Sequence, residues 1–278
     1  HINKLADEGM RFARMYTEPS CTPTRAAFMT GRLAVRVGMA ETTVDIDGSG
    51  LAGKEVTLAE VLSASGYNTV HIGKWHLGEE PEHDPSRRGF ERSYTMLQGG
   101  ASHFDDEWMM CANYTPIYRE NGVRVHVPRG FYSSQFYTDK IIQNIEQQED
   151  DKPFFAYLTY TAPHGPLHLP DDWLRRYKNR YDEGWDGIRQ QRLARMQELG
   201  IVDKGVNTAD RLSFLPRSTT LTPAVRVMQA RKMELYAGMV EYMDDQIGRV
   251  FNYLKEIGEY DNTVVIFISD NGAEGNDL

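Results

Sequence analysis

The sequence predicts an α/β fold in which helices cover a largely parallel sheet. Three short apolar runs have the composition of buried strands, and they begin near Asn68, Pro153 and Asn262. Segments with helical periodicity separate these runs. Each run ends in charged or ligand-type residues, which are Lys74, His76, His164, Asp270 and Asn271. Because the carboxyl ends of parallel strands meet at one edge of a sheet, these side chains are expected to converge.

The helices are predicted from apolar residues that recur at steps of three and four. A short helix in "TLAEVLSASGY" is expected to end at Gly66, a second to run over about 133–148, and the longest to span roughly 224–257. Two long stretches, 87–122 and 180–220, fit no compact strand pattern. We expect them to be loops that shape a binding cleft over the sheet.

Composition excludes several classes of protein. The chain has 278 residues and a net charge of -9, and its 31 Lys and Arg are scattered among 40 acids, so a nucleic-acid surface is not expected. The longest strongly apolar runs are too short to cross a membrane, and no signal-peptide pattern opens the chain. A soluble protein is therefore expected. Two cysteines, Cys21 and Cys111, make no disulfide framework.

Cys21 lies beside a predicted helix start. Pro23 suits a first helical turn, Thr22 could cap it and Gly31 could end it. The backbone N–H groups and dipole of such a helix favour an anion, and Arg25 could point at the same place. Cys21 is then either an activated nucleophile or a small buried residue, and the local pattern alone leaves both open.

Motifs spread over the whole chain decide between these two readings. The stretches "CTPTRAAFMTGR" (21–32) and "GYNTVHIGKWHLG" (66–78) resemble the two signatures of the sulfatase family. Further matches are "RGFERSY" (88–94), "GFYSSQFYTDK" (130–140), "KPFFAYLTYTAPHGPL" (152–167) and "DNTVVIFISDNGAEG" (261–275). The chain looks most like the bacterial arylsulfatases of the alkaline-phosphatase-like superfamily.

The resemblance implies an alkaline-phosphatase-like α/β/α sandwich with a large mixed, mostly parallel sheet. It implies that residues 1–278 form a single sulfatase catalytic domain that is incomplete. In that family an earlier strand carries two metal-binding aspartates, and a later segment carries a lysine that contacts sulfate. Neither is expected within this chain. The sequence does not determine the compartment, and the bacterial cytoplasm or periplasm is the expected location.

The resemblance also implies hydrolysis of a small sulfate ester, such as an aryl sulfate. In the family, a formylglycine-generating or equivalent maturation enzyme oxidises the cysteine that corresponds to Cys21. One hydroxyl of the hydrated aldehyde attacks sulfur and expels the alcohol, which gives a covalent sulfo-enzyme. The second hydroxyl then helps to eliminate sulfate and restores the aldehyde.

Four side chains match the family's cationic and proton-transferring residues. Arg25 corresponds to the arginine that orients the diol, and Lys74 and His164 to residues that contact the sulfate. His76 is implied to assist proton removal when the adduct collapses, and His164 to protonate the leaving oxygen. These roles agree with the charge that builds up during sulfuryl transfer.

Asp270 and Asn271 are the expected metal ligands. Their oxygens suit calcium, with magnesium as the alternative, and the resemblance adds the formylglycine made from Cys21 as a third ligand. Asp105 and Asp106 superficially resemble the family's other aspartate pair, but they follow the second signature and are expected to form a solvated acidic loop.

Two alternatives to a sulfatase stay open from the sequence. Related enzymes of the superfamily hydrolyse phosphonate monoesters or phosphodiesters with the same nucleophile and metal. A non-catalytic anion-binding relic is the alternative from another class, although binding alone needs no modifiable cysteine. The sequence offers no physical route to the natural substrate.

Overall fold

The computed structural model describes residues 1–42, 49–109, 115–148 and 150–272. Within these ranges five strands form one mixed sheet in the order β4-β3-β2-β1-β5. The central strand β1 pairs in parallel with β2 and β5, whereas β2-β3 and β3-β4 are antiparallel. The strands are β1 (Asn68–Lys74), β2 (Arg92–Met96), β3 (Tyr118–Glu120), β4 (Val123–Val125) and β5 (Phe154–Thr159).

The predicted helices are confirmed within one or two residues at most ends. Six α-helices occur in the described ranges: α1 (Ile2–Glu8), α2 (Cys21–Thr30), α3 (Leu58–Ala64), α4 (Ser133–Glu146), α5 (Trp185–Glu198) and α6 (Pro223–Glu256). Thr57 and Glu60 form a reciprocal capping box that starts α3. Gly31 ends α2 in the left-handed conformation, as expected.

Helices cover both faces of the sheet, so the predicted α/β/α arrangement is confirmed. On one face Ile72 and Tyr94 pack with Ile141 of α4 and with Leu254 of α6. On the other face Trp75 and Phe90 pack with Met29 of α2 and with Ala59 of α3. The backbone of β1 is therefore enclosed from both sides, which places its C-terminal end beside the start of α2.

The prediction that 87–122 lacks strands is wrong. This stretch contains β2 and β3, and β2 contributes one of the two parallel pairings of β1. The missed signal is Asn121-Gly122, whose φ angles of 50° and 82° form the two-residue turn between β3 and β4. The stretch 180–220 was expected to be a loop, but it contains helix α5.

The prediction of a buried strand after Asn262 is also wrong. Residues 263–269 form no regular secondary structure, and Val264 and Ile266 are 89% and 68% exposed. A cavity of about 2110 Å³ borders both this segment and β5. A strand needs a hydrogen-bonding neighbour, and the described residues supply none between β5 and residues 263–269.

Gly73 offers a test of how closely β1 and β5 approach. Its φ is 114°, and a Cβ atom here would overlap the backbone carbonyl of Thr159. Gly73→Ala is therefore expected to lower the free energy of unfolding by about 3 kcal/mol, as measured in urea. Gly205→Ala is the control, because a Cβ at Gly205 meets nothing within 4 Å. Equal stability of both variants would contradict the close approach.

Candidate active site

Cys21 is the first residue of α2 and is buried. Ser20 precedes it as the N-cap but makes no side-chain capping bond. The expectation that Thr22 caps the helix is wrong, since Thr22 lies inside the first turn. Its hydroxyl instead donates to the carbonyl of His76 at 3.1 Å. This bond ties the start of α2 to the segment that follows β1.

His76 is a titratable residue in direct contact with Cys21. Its Nδ1 lies 3.1 Å from the Cys21 Sγ. The backbone of His76 has a φ of 57°, which is unusual for a residue other than glycine. His76 N donates to the carbonyl of Leu97 at 3.0 Å, which holds this conformation against the segment after β2. The turn therefore aims the imidazole at the sulfur atom.

Lys74 is the last residue of β1, and its side chain is buried. Burial, and next the charge of Arg25, lower the pKa of the Lys74 ammonium from its ordinary value. Cys21 and Asp270 act in the opposite direction, and Cys21 also forms a side-chain hydrogen bond with Lys74. Two sequence-predicted residues, Lys74 and His76, thus meet at the same sulfur.

Arg25 links three segments of the site. Its Nε and Nη2 each lie 2.9 Å from Oδ2 of Asp270, and its Nη1 donates to the carbonyl of Lys74 at 2.6 Å. Burial alone would raise the pKa of Asp270, but the charges of Arg25 and Lys74 hold it below its ordinary value. Asp270 is therefore present as a carboxylate that the buried guanidinium fixes in place.

His164 follows β5 and lines the same cavity as Arg25, Lys74 and Asp270. Its Nδ1 donates to the carbonyl of Gly165 at 2.8 Å, which orients the ring. His168 stacks on Phe104 at a centroid distance of 5.2 Å, so it packs against an aromatic ring.

The metal ligands predicted from the sequence are only partly assembled. Asp270 and Asn271 are adjacent in the chain, and one Asp270 oxygen already accepts from Arg25. In the described ranges no group of three His, Cys, Asp or Glu side chains is placed to hold a metal ion. Calcium takes six to eight oxygen ligands, so these residues alone do not complete a site. Asp105 and Asp106 are exposed, as expected for a solvated loop.

A buried chain of hydrogen bonds that ends at the carbonyl of Lys74 was not predicted from the sequence. The Thr159 hydroxyl donates to the carbonyl of Lys74 at 2.7 Å, so it must accept from Nε2 of His71 at 3.1 Å. His71 Nδ1 has no hydrogen-bond partner among the described residues. Burial lowers the pKa of His71 to about 3, which keeps the ring neutral. The sequence signal was a histidine between the apolar residues Val70 and Ile72 of β1.

Comparisons with known proteins agree with this geometry. The profile of the family described as Sulfatase matches residues 1–277. An uncharacterized sulfatase of Schizosaccharomyces pombe is 40% identical over 302 residues, covering 100% of this chain and 54% of its own length. An arylsulfatase of Klebsiella aerogenes is 35% identical over 282 residues, covering 98% of this chain and 61% of its own length. The chain thus spans a little over half the length of these relatives.

The fold and the family follow from these findings. The crystal structure of Ps i-CgsB superposes with a TM-score of 0.69 and 25% identity, covering 94% of this chain and 50% of that one. Together with the mixed sheet between helices, this defines an α/β protein of the alkaline-phosphatase-like fold. The chain belongs to the sulfatase family.

The described part of the chain contains no helix that is long and apolar enough to cross a membrane.

Because two histidines are buried in the neutral form, we expect the folded protein to lose stability in acid. Burial lowers the pKa of His71 to about 3 and that of His103 to about 4, from an ordinary 6.5. Unfolded chains bind these protons below pH 6.5 and the native protein does not, so stability falls as the pH drops from 6.5 towards 4. Each histidine contributes a slope of up to about 1.4 kcal/mol per pH unit.

The measurement is the free energy of unfolding in urea between pH 8 and pH 4 for wild type and His71→Gln. At pH 8 both imidazoles are almost entirely neutral in both states, so the stability difference between His71→Gln and wild type there reports the loss of the packing of His71. Between pH 6 and pH 4 the variant is expected to have a shallower slope than wild type. Parallel curves over this window would contradict a neutral, buried His71.

Proposed function

We propose that this protein hydrolyses sulfate esters, with residue 21 as the nucleophile. One observation carries the proposal: the buried Cys21 lies 3.1 Å from His76 at a helix start, where the buried cations Lys74 and Arg25 also meet. Membership of the sulfatase family, with an arylsulfatase among the relatives, supports the same reaction.

The cations suit the charge that develops in this reaction. Cleavage of a sulfate ester places negative charge on the sulfuryl oxygens and on the leaving oxygen. Lys74 and Arg25 are buried, so water only weakly screens their attraction for an anion beside them. We assign Lys74 and His164 to the sulfate group and Arg25 to the orientation of residue 21.

Residue 21 is proposed to act as formylglycine, made from Cys21 by a maturation enzyme. A thiol or hydroxyl nucleophile would end in a stable covalent adduct, whereas a hydrated aldehyde has a second hydroxyl that allows the adduct to collapse. His76 Nδ1 lies at hydrogen-bond distance from the side chain of residue 21, so it is placed to take the proton of that hydroxyl. His164 is proposed to donate a proton to the leaving alcohol.

We also propose that Asp270 and Asn271 contribute to a calcium or magnesium site. A bound divalent cation would stabilise negative charge on oxygens of the substrate. The two side chains follow residues 263–269 and line the same cavity as Arg25, which supports this proposal. The remaining oxygen ligands would come from elsewhere in the protein.

The substrate class proposed is a small sulfate ester such as an aryl sulfate, and residues 1–278 are proposed to belong to a single catalytic domain. Phosphonate monoesters are the competing substrates, because a tetrahedral phosphorus anion suits the same cations.

The first experiment measures the mass of the peptide that bears Cys21, from full-length protein produced with its maturation enzyme. A loss of about 18 Da is expected, as the thiol becomes an aldehyde. Release of sulfate from an aryl sulfate is expected as well, and Cys21→Ala should lower it by at least about 10³-fold, to background. Cys111→Ala is the matched control and should retain activity.

Each outcome of this experiment has a defined meaning. Faster turnover of a phosphonate monoester than of an aryl sulfate would show that phosphonate monoesters are the substrate class and would contradict the proposed one. An unmodified thiol in the presence of active maturation enzyme, without turnover of either ester, would refute the proposed hydrolase and favour an anion-binding protein.

A further inference from the structure

Two adjacent glycines, Gly99 and Gly100, follow β2 and lie directly against the two candidate catalytic histidines. A Cβ atom on Gly99 would lie 2.5 Å from Cε1 of His76 and 3.0 Å from its Nε2. A Cβ atom on Gly100 would lie 2.8 Å from Nδ1 of His164 and 2.9 Å from its Cε1. Neighbouring residues of one loop therefore contact imidazoles that are 88 positions apart in the sequence (164 minus 76).

Backbone conformation does not explain these glycines. Neither residue has a φ in the left-handed region, in contrast to Gly73 and Gly78 nearby. L-residues with side chains therefore fit the backbone of both positions. The nearest atoms to an added Cβ at each position belong to an imidazole ring. Glycine is therefore favoured here because any side chain would occupy the space of the histidine ring.

The loop that carries the two glycines is anchored on either side. Before them, the Gln98 side chain donates to Glu79 at 2.8 Å and accepts from the backbone N of Ile117 at 2.8 Å. After them, the buried His103 ring bonds the Ser133 hydroxyl at 2.6 Å and the carbonyl of His164 at 3.0 Å. Displacement of the glycines away from the histidines would break these bonds.

His103 adds a second contact to the same catalytic segment. Its Nε2 donates to the carbonyl of His164, while its own carbonyl accepts from the backbone N of Ser133 at the start of α4. Burial lowers the pKa of His103 to about 4, so the ring stays neutral in these bonds at physiological pH. The loop thus contacts both the ring and the backbone of His164.

We propose that Gly99 and Gly100 form a histidine seat, a rigid surface that sets the positions of the His76 and His164 rings relative to residue 21. The proposal rests on the proposed function for its catalytic meaning, since His76 and His164 are its proton-transfer residues. The two glycines are positioning residues, because they act through the imidazoles and need not touch the substrate.

The test uses Gly99→Ala and Gly100→Ala in the full-length, matured protein, with Gly53→Ala as the matched control. A Cβ at the exposed Gly53 meets nothing within 4 Å, and its φ is not left-handed. The added methyl at positions 99 and 100 meets a side chain, so the ring can yield and the fold should be retained. We expect each seat variant to lower kcat by about 10²-fold with little change in KM, whereas Gly53→Ala keeps wild-type values.

A double-mutant cycle on stability tests the contact without any reference to activity. Gly99→Ala should lower the unfolding midpoint in wild type, and at least about half of this shift should disappear in a His76→Ala background. Gly100→Ala should behave in the same way with His164→Ala. The crossed pairs, Gly99→Ala with His164→Ala and the reverse, should be additive.

The outcomes separate this proposal from the proposed function. Wild-type kinetics in both seat variants, or additive cycles for the matched pairs, would overturn the histidine seat. Coupled cycles in a protein that hydrolyses no sulfate ester would support the seat as a structural device while refuting the proposed function. If a seat variant fails to fold alone, recovery of folding in the matched histidine-to-alanine background supports the contact, and continued failure counts against it.

Discussion

The site depends on the hydrogen bonds and the ion pair that the buried guanidinium of Arg25 makes. It sits one turn into α2, and it joins the carbonyl at the end of β1 to the carboxylate of Asp270. A buried charge without partners is strongly unfavourable, so Arg25 requires both segments to be in place. Residues 263–269 have no sheet partner among the described residues, and the Arg25–Asp270 ion pair is a contact that connects their C-terminal end to the site.

Parallel pairing explains why distant residues converge. Strands β2 and β5 flank β1 in the same direction, so the loops after all three strands leave the sheet at one edge. Lys74 ends β1 and His76 follows it, Gly99 and His103 follow β2, and His164 follows β5. His71 and His103 are buried near this edge, and desolvation keeps them uncharged. They therefore serve as neutral hydrogen-bonding groups of the scaffold.

Much of the fold and most of the candidate site were predictable from the sequence. Helices α3, α4 and α6 were predicted because their apolar periodicity is local, and β1 and β5 were predicted because their apolar runs coincide with real pairing partners. The strands β2, β3 and β4 were missed because they are short, and the Asn121-Gly122 turn was an overlooked local signal. The run after Asn262 has strand composition, but composition cannot supply the neighbouring strand that the hydrogen bonds require.

The sequence by itself determined which residue types can carry the chemistry: a cysteine at a helix start, an arginine one turn later, and Lys, His, Asp and Asn at apolar run ends. Only the tertiary structure decided that Lys74 and His76 reach the same sulfur, that Arg25 pairs with Asp270, and that Thr22 bonds the His76 carbonyl instead of capping α2. It also placed the rings of His76 and His164 where side chains at positions 99 and 100 would overlap them. The physical reason is that side-chain identity is local, whereas distance, burial and steric exclusion arise between segments that only folding brings together.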